Sequence, residues 1–226
     1  MSLISPKIET ENVFKVYDII ANHFSDTRNT VWDGVQSFIN QFTQNTNGFE
    51  IGCGNGKNMV YATNMGHCMK GIDTCGKFID MCRNNHKLDV YFGNATKQIF
   101  VDCIFDYAIS IAVFHHLSNE SSRIKAMENM INVIKLGGKG LVTVWAVEQE
   151  GVSKKKFSPG DNLVKWNKPY FKEKKRYFDV YKRYYYIYTE SMFRTYIGLF
   201  KNRIKIDKLY YQKGNWFCEF TKIKGF

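Results

Sequence analysis

The stretch EIGCGNGK, residues 50–57, sets glycines at positions 52, 54 and 56 directly behind a short apolar run, FEIG (49–52). Alternate glycines at a strand-to-helix junction predict a ligand held against bare backbone, because a Cβ would stand in its way. The spacing differs from the dinucleotide turn GxGxxG, whose third glycine would fall at position 57, here Lys57. The next apolar run, CMKGID (68–73), closes on Asp73, 21 residues after Gly52. A carboxylate that binds ribose hydroxyls belongs at that point, ~20 residues beyond the turn.

Strand and helix patterns alternate outward from this stretch. Helices are predicted at 56–64, 76–84 and 119–135, and strands at 89–94, 105–114 and 138–148. Such βα units imply a doubly wound α/β sheet with helices on both faces, of the Rossmann-like kind. In one domain over 1–226, residues 1–45 would supply N-terminal helices and 46–149 the ligand-binding core. Residues 189–226 would add a helix (189–200) and a hairpin turning at Lys213-Gly214. Residues 150–176 lack periodicity and read as a long loop, within a basic substrate-side segment 150–188.

Charge is segregated along the chain. Of 32 Lys and Arg, 19 lie in 151–226, against 6 of the 21 Asp and Glu. The same segment holds 20 of 36 aromatic residues, a combination that suits a polyanion whose bases can stack. Six cysteines contain no CxxC pair, so neither a zinc site nor a redox pair of the usual spacing is indicated. No run approaches ~18 apolar residues and the N-terminus lacks a signal-peptide core, which predicts a cytoplasmic protein, possible nuclear residence included.

The GxGxG turn, with Glu50 two residues before Gly52, resembles the S-adenosylmethionine turn of class I methyltransferases. The strings IANHFSDTR (20–28) with Trp32, AISIAVFHHLS (108–118), VWAVEQE (144–150) and KRYYYIY (182–188) narrow that likeness. Together they resemble the eukaryotic tRNA wobble-uridine carboxymethyl methyltransferases, which esterify 5-carboxymethyluridine. The resemblance implies that Glu50, Gly52, Cys53, Gly54, Asn55, Gly56, Asp73, Asn94, Ala95 and Ile111 hold the cofactor, Asn94 accepting from the adenine amino group. It implies Arg28 with His116 or His115 as catalytic residues, His116 favoured. Trp32, Trp145, Arg183, Tyr184 and Lys154, Lys155 and Lys156 would meet the tRNA, with Trp166 a further wall candidate. It also implies a small zinc-binding activator subunit, placed at the edge strand 88–93, where Asp89 is the single charge against strand addition. The chain itself is expected to hold no metal. Departures are Tyr186 where the family's RYYH-like string has His, Lys165-Trp166 for Pro-Trp, and a shorter loop.

A carboxylate acceptor, with a pKa near ~4, is ionised at pH 7 and needs no general base. Positioning beside a cationic methyl donor is then the task, and Arg28 and one histidine are the groups suited to orienting an anion. Adjacent residues leaving a strand diverge, so one histidine is expected to face the substrate and the other the core. A small-molecule carboxyl methyltransferase would share the turn but leave the basic segment unexplained. A catalytically silent RNA-binding paralogue would have no use for an intact Glu50, Gly52, Gly54, Gly56 and Asp73.

Overall fold

The computed structural model describes residues 5–97, 104–149, 156–173 and 175–225. Five parallel strands form the centre: β1 (Asn47–Ile51), β2 (Cys68–Asp73), β3 (Asp89–Phe92), β4 (Phe105–Ile111) and β5 (Ile134–Trp145). The hairpin β8 (Ile204–Gln212) and β9 (Asn215–Lys222) completes a seven-stranded sheet in the order β3-β2-β1-β4-β5-β9-β8. β9 runs antiparallel to both neighbours. The order reverses between β1 and β4, and ligands bind at the carboxyl ends of strands at such a switch.

Period-two alternation gives the sheet two cores. On β9, Trp216, Cys218 and Phe220 pack on one face and Phe217 on the other. The first face is covered by α6 (Glu120–Val133), through Met127, Met130 and Ile131, and by α7 (Glu190–Gly198), through Phe193. The second is covered by α3 (Asp33–Ile39), α4 (Lys57–Asn64) and α5 (Gly76–His86), through Phe38, Met59 and Cys82. Asn119 and Thr189 cap α6 and α7 by accepting from Ser122 and Met192 N–H, as N-cap side chains do.

The segment expected to be a loop is largely strand. β6 (Gly160–Lys172) pairs antiparallel with β7 (Lys175–Ile187) in a separate two-stranded ribbon. Aromatic and β-branched residues at both ends outweigh the irregular polar pattern between, and Trp166 anchors the ribbon on Val16 and Ile20. Those two residues lie on α2 (Lys15–Thr27), one of the N-terminal helices, which follows a helical lead-in, α1 (Ser5–Glu9), and a π-helical turn. The strand predicted to reach Phe114 stops at Ile111, and a 3-10 turn, Phe114–His116, replaces its end.

Candidate active site

The glycine turn is locked to the neighbouring strand. Gly52 and Cys53 N–H donate to the Ile72 carbonyl at 2.8 and 3.0 Å, and Gly54 N–H donates to Asp73 Oδ2 at 2.8 Å. Asp73 Oδ1 accepts from Cys75 N–H at 2.8 Å, so two backbone donors fix the carboxylate where β2 ends. Burial pushes the Asp73 carboxyl up and these donors oppose the shift. All three glycines have positive φ, at 72°, 53° and 77°, yet only Gly54 has open space where a Cβ would stand. A Cβ on Gly52 would strike Val113, and one on Gly56 would strike Leu88 and Cys82. Only Gly54 therefore leaves open space on its Cβ side, while packing also requires a missing Cβ at Gly52 and Gly56.

One cavity gathers most of the predicted residues. Glu50, Gly52, Cys53, Gly54, Asn55, Asp73, Asn94, Ala95 and Ile111 line it, and Gly56 does not. Glu50 is buried with Oε1 accepting from Asn58 at 2.7 Å, while Oε2 has no partner among the described residues. Burial raises its carboxyl to about 8, against the Asn58 amide and the Lys57 ammonium. A buried carboxyl oxygen with no partner suits a cationic ligand group, and S-adenosylmethionine carries an ammonium as well as a sulfonium. Asn94 departs from its expected role: Oδ1 already accepts from Thr96 N–H and Oγ–H, both at 2.9 Å, which leaves its amide N–H₂ for a ligand.

The other wall is assembled from distant segments. His115 and His116 both line the cavity, because the 3-10 turn rotates them together where a strand would have separated them. His116 Nδ1–H donates to the Tyr184 carbonyl at 2.8 Å, so its Nε2 accepts the Tyr17 hydroxyl at 2.9 Å. His115 Nδ1 accepts from Trp145 N–H at 3.2 Å, which puts its proton on Nε2. Burial lowers His116 to about 3, with the Tyr184 carbonyl opposing and Arg183 adding to the shift. Burial, then His116 and Arg183, hold His115 well below its usual value. Both imidazoles are therefore neutral at pH 7. His116 has both nitrogens engaged, and among the described residues no partner takes the His115 Nε2–H.

Arg183 is 5% exposed, yet pairs with no acidic group among the described residues. Its guanidinium lies 4.7 Å from the Trp166 ring and 5.1 Å from the Tyr185 ring, and Nη1 reaches the Tyr17 hydroxyl at 3.5 Å. Arg28, exposed at the rim, lies 5.1 Å from the same Trp166 ring. Trp32, beneath the Lys57 ammonium, and Trp145, packed on Tyr185, complete the wall. Tyr184 does not: strand alternation turns it to the far face of the ribbon, where its hydroxyl donates to Asp161. Tyr185, two residues from Arg183, takes its place in the cavity. The same period of two read along 183–187 points to Tyr185, whereas Tyr17 carries no sequence signal that separates it from an apolar helix face. Lys156 is exposed away from the cavity, and Lys154 and Lys155 lie outside the described residues.

Residues 49–142 match the methyltransferase domain family. Solved S-adenosylmethionine-dependent methyltransferases share the fold. The tRNA (carboxymethyluridine(34)-5-O)-methyltransferase of Schizosaccharomyces pombe is 39% identical over 161 residues, covering 70% of this chain and 68% of that protein. The chain belongs to the tRNA (carboxymethyluridine(34)-5-O)-methyltransferase family. A Xenopus tropicalis member is 40% identical over 143 residues, 63% of this chain but 22% of that much longer protein. Among structures, a Haloferax volcanii methyltransferase in complex with the Trm112 methyltransferase activator superposes with a TM-score of 0.66 at 11% identity, covering 94% of this chain and 99% of that one. S-adenosylmethionine is the cofactor of this class.

Proposed function

We propose that this chain transfers a methyl group from S-adenosylmethionine to the carboxylate of 5-carboxymethyluridine at position 34 of tRNA, giving the methyl ester. The observation that carries this reading is Arg183, a buried guanidinium with no acidic partner among the described residues, facing the cavity that holds the cofactor cradle. Such a charge is costly to bury and is offset when an anion enters. When bound, S-adenosylmethionine supplies the electrophilic methyl. Arg183 would hold the acceptor carboxylate toward that methyl, and because the acceptor is already ionised no residue of this chain would need to move a proton. That fits two neutral histidines. His115 Nε2–H is the donor available to the second carboxylate oxygen, Arg28 closes the rim, and Tyr17 with His116 holds the floor under Arg183. Five free thiols among the described residues suit a reducing compartment such as the cytoplasm.

The activator named with the Haloferax methyltransferase suggests a partner for this chain, in our reading a small zinc protein on the β3 edge. Gly93 N–H donates to the Asp73 carbonyl, so by alternation Val90 and Phe92 turn their N–H groups outward. Arg83 covers the Val90 carbonyl at 2.6 Å, leaving Phe92, 72% exposed, as the main pairing position. The test is transfer of labelled methyl from S-adenosylmethionine to tRNA bearing 5-carboxymethyluridine, with and without the activator. Label in the wobble nucleotide is expected with the activator present. No transfer in either condition would overturn the proposal.

A further inference from the structure

The β6–β7 ribbon continues past the cavity, and its outer half is unusually apolar for an exposed element. Tyr170 and Tyr177 are 43% and 42% exposed on one face, and Phe171, Phe178 and Val180 are 50–72% exposed on the other. Contiguous exposed aromatics on a small protein mark an interaction surface. The register pairs Tyr170 with Tyr177, whose rings stack at 5.5 Å and 22°. It also sets Lys172 opposite Lys175 on the same face. Like charges directly across a strand pair are destabilising, and an anion laid over them relieves the repulsion. Residues 160–187 hold 8 Lys and Arg against 3 Asp and Glu, so the charge matches a polyanion better than another protein.

Alternation places Tyr170, Tyr177, Lys172 and Lys175 on the ribbon face that Arg183 and Tyr185 occupy where it lines the cavity. Six residues separate Tyr177 from Arg183, about 20 Å of strand at ~3.4 Å each. The geometry points to this outer face as a second RNA-binding surface, where unpaired nucleotides flanking the target base stack on Tyr170 and Tyr177 and their phosphates meet Lys172 and Lys175. The occupant is single-stranded loop RNA rather than a stem, because a flat aromatic pair needs splayed bases and the deep groove of an RNA duplex admits no side chains. This rests on the reading that tRNA is the substrate.

The experiment uses the full chain with its activator, tRNA, and two double variants, Tyr170→Ala/Tyr177→Ala and Lys172→Gln/Lys175→Gln. The tyrosine variant should raise KM for tRNA by about 10-fold or more, with kcat and S-adenosylmethionine affinity unchanged. The lysine variant should flatten the slope of log Kd for tRNA against log salt by about 1.4, the single-strand value for two lost phosphate contacts. Should the tyrosine variant lose cofactor affinity through misfolding, Tyr177→Ala alone carries the same reading. Wild-type KM and slope in both variants, with wild-type enzyme active on tRNA, would overturn the inference and leave the proposed function standing. Loss of the activator from the variants would make this a protein-docking face and also overturn it. If wild-type enzyme transfers no methyl to tRNA the proposed function falls, and the tRNA Kd of the same variants still decides the ribbon's role.

Discussion

The cofactor side and the substrate side of the cavity are built on different principles. The cofactor side comes mainly from residues 50–95, and backbone N–H groups hold it: Gly54 and Cys75 fix Asp73, and Ile72 anchors the turn. The substrate side brings together Tyr17, Arg28, His115, Trp145, Arg183 and Tyr185 from the N-terminal helix, two strand ends and the ribbon. Stacked rings and neutral imidazoles surround Arg183 there. One side is a rigid cradle of dipoles. The other is a positive charge held in readiness for an anion, and the two should fail independently when mutated.

The largest effect is expected at Arg183. Arg183→Met keeps much of the volume but removes the charge, and should cut kcat/KM for tRNA by roughly 10²-fold or more, the scale for losing one partner of a buried charge pair. Calorimetry should show unchanged S-adenosylmethionine affinity in that variant, and a parallel loss of cofactor binding would break the proposed division. Asp73→Ala should do the reverse, weakening S-adenosylmethionine by ~1.5–3 kcal/mol while tRNA affinity holds. Equal effects on both ligands would show that the two walls are coupled.

Acid should destabilise the substrate side through its histidines. Their folded pKa values lie below the unfolded value of about 6.5, so the unfolded chain binds more protons as pH falls. This contribution is complete above pH 6.5 and is lost progressively from there toward about 3, where His116 titrates in the fold. At pH 5 the loss from His116 is about 2 kcal/mol, and denaturant midpoints of wild type and His116→Asn between pH 5 and 8 would show it as a shallower slope in the variant. A His116→Asn slope as steep as wild type would mean that this histidine is already charged in the fold. The smallest effect belongs to Tyr184→Phe, which should lower stability by about 1 kcal/mol through the lost Asp161 bond. Its KM for tRNA should not change, and an increase would put Tyr184 back at the substrate.

Most of the cofactor side was legible in the sequence because contiguous backbone makes it: glycines, one carboxylate and strand spacing specify the turn with little help from elsewhere. Even there, the turn's spacing could not show that Val113 and Leu88 fill the places of two missing Cβ atoms. The substrate side was legible only as strings. The resemblance singled out Arg28, the histidines and Arg183, but which ring nitrogen is free depends on Tyr17, Trp145 and the Tyr184 carbonyl meeting in three dimensions. The ribbon was missed because its strand pattern is interrupted by Lys, Asn and Pro169, and because pairing with β7, not local propensity, makes β6 a strand.

The central claim is that a carboxylate, anchored by Arg183, is the methyl acceptor. Its most direct test supplies labelled S-adenosylmethionine and two tRNAs that differ only at the wobble uridine, one bearing the 5-carboxymethyl group and the other its neutral amide. Transfer is expected to the acid alone, with the label released as methanol by mild alkali, as an ester requires. Label that survives alkali, or equal transfer to the amide, would contradict it.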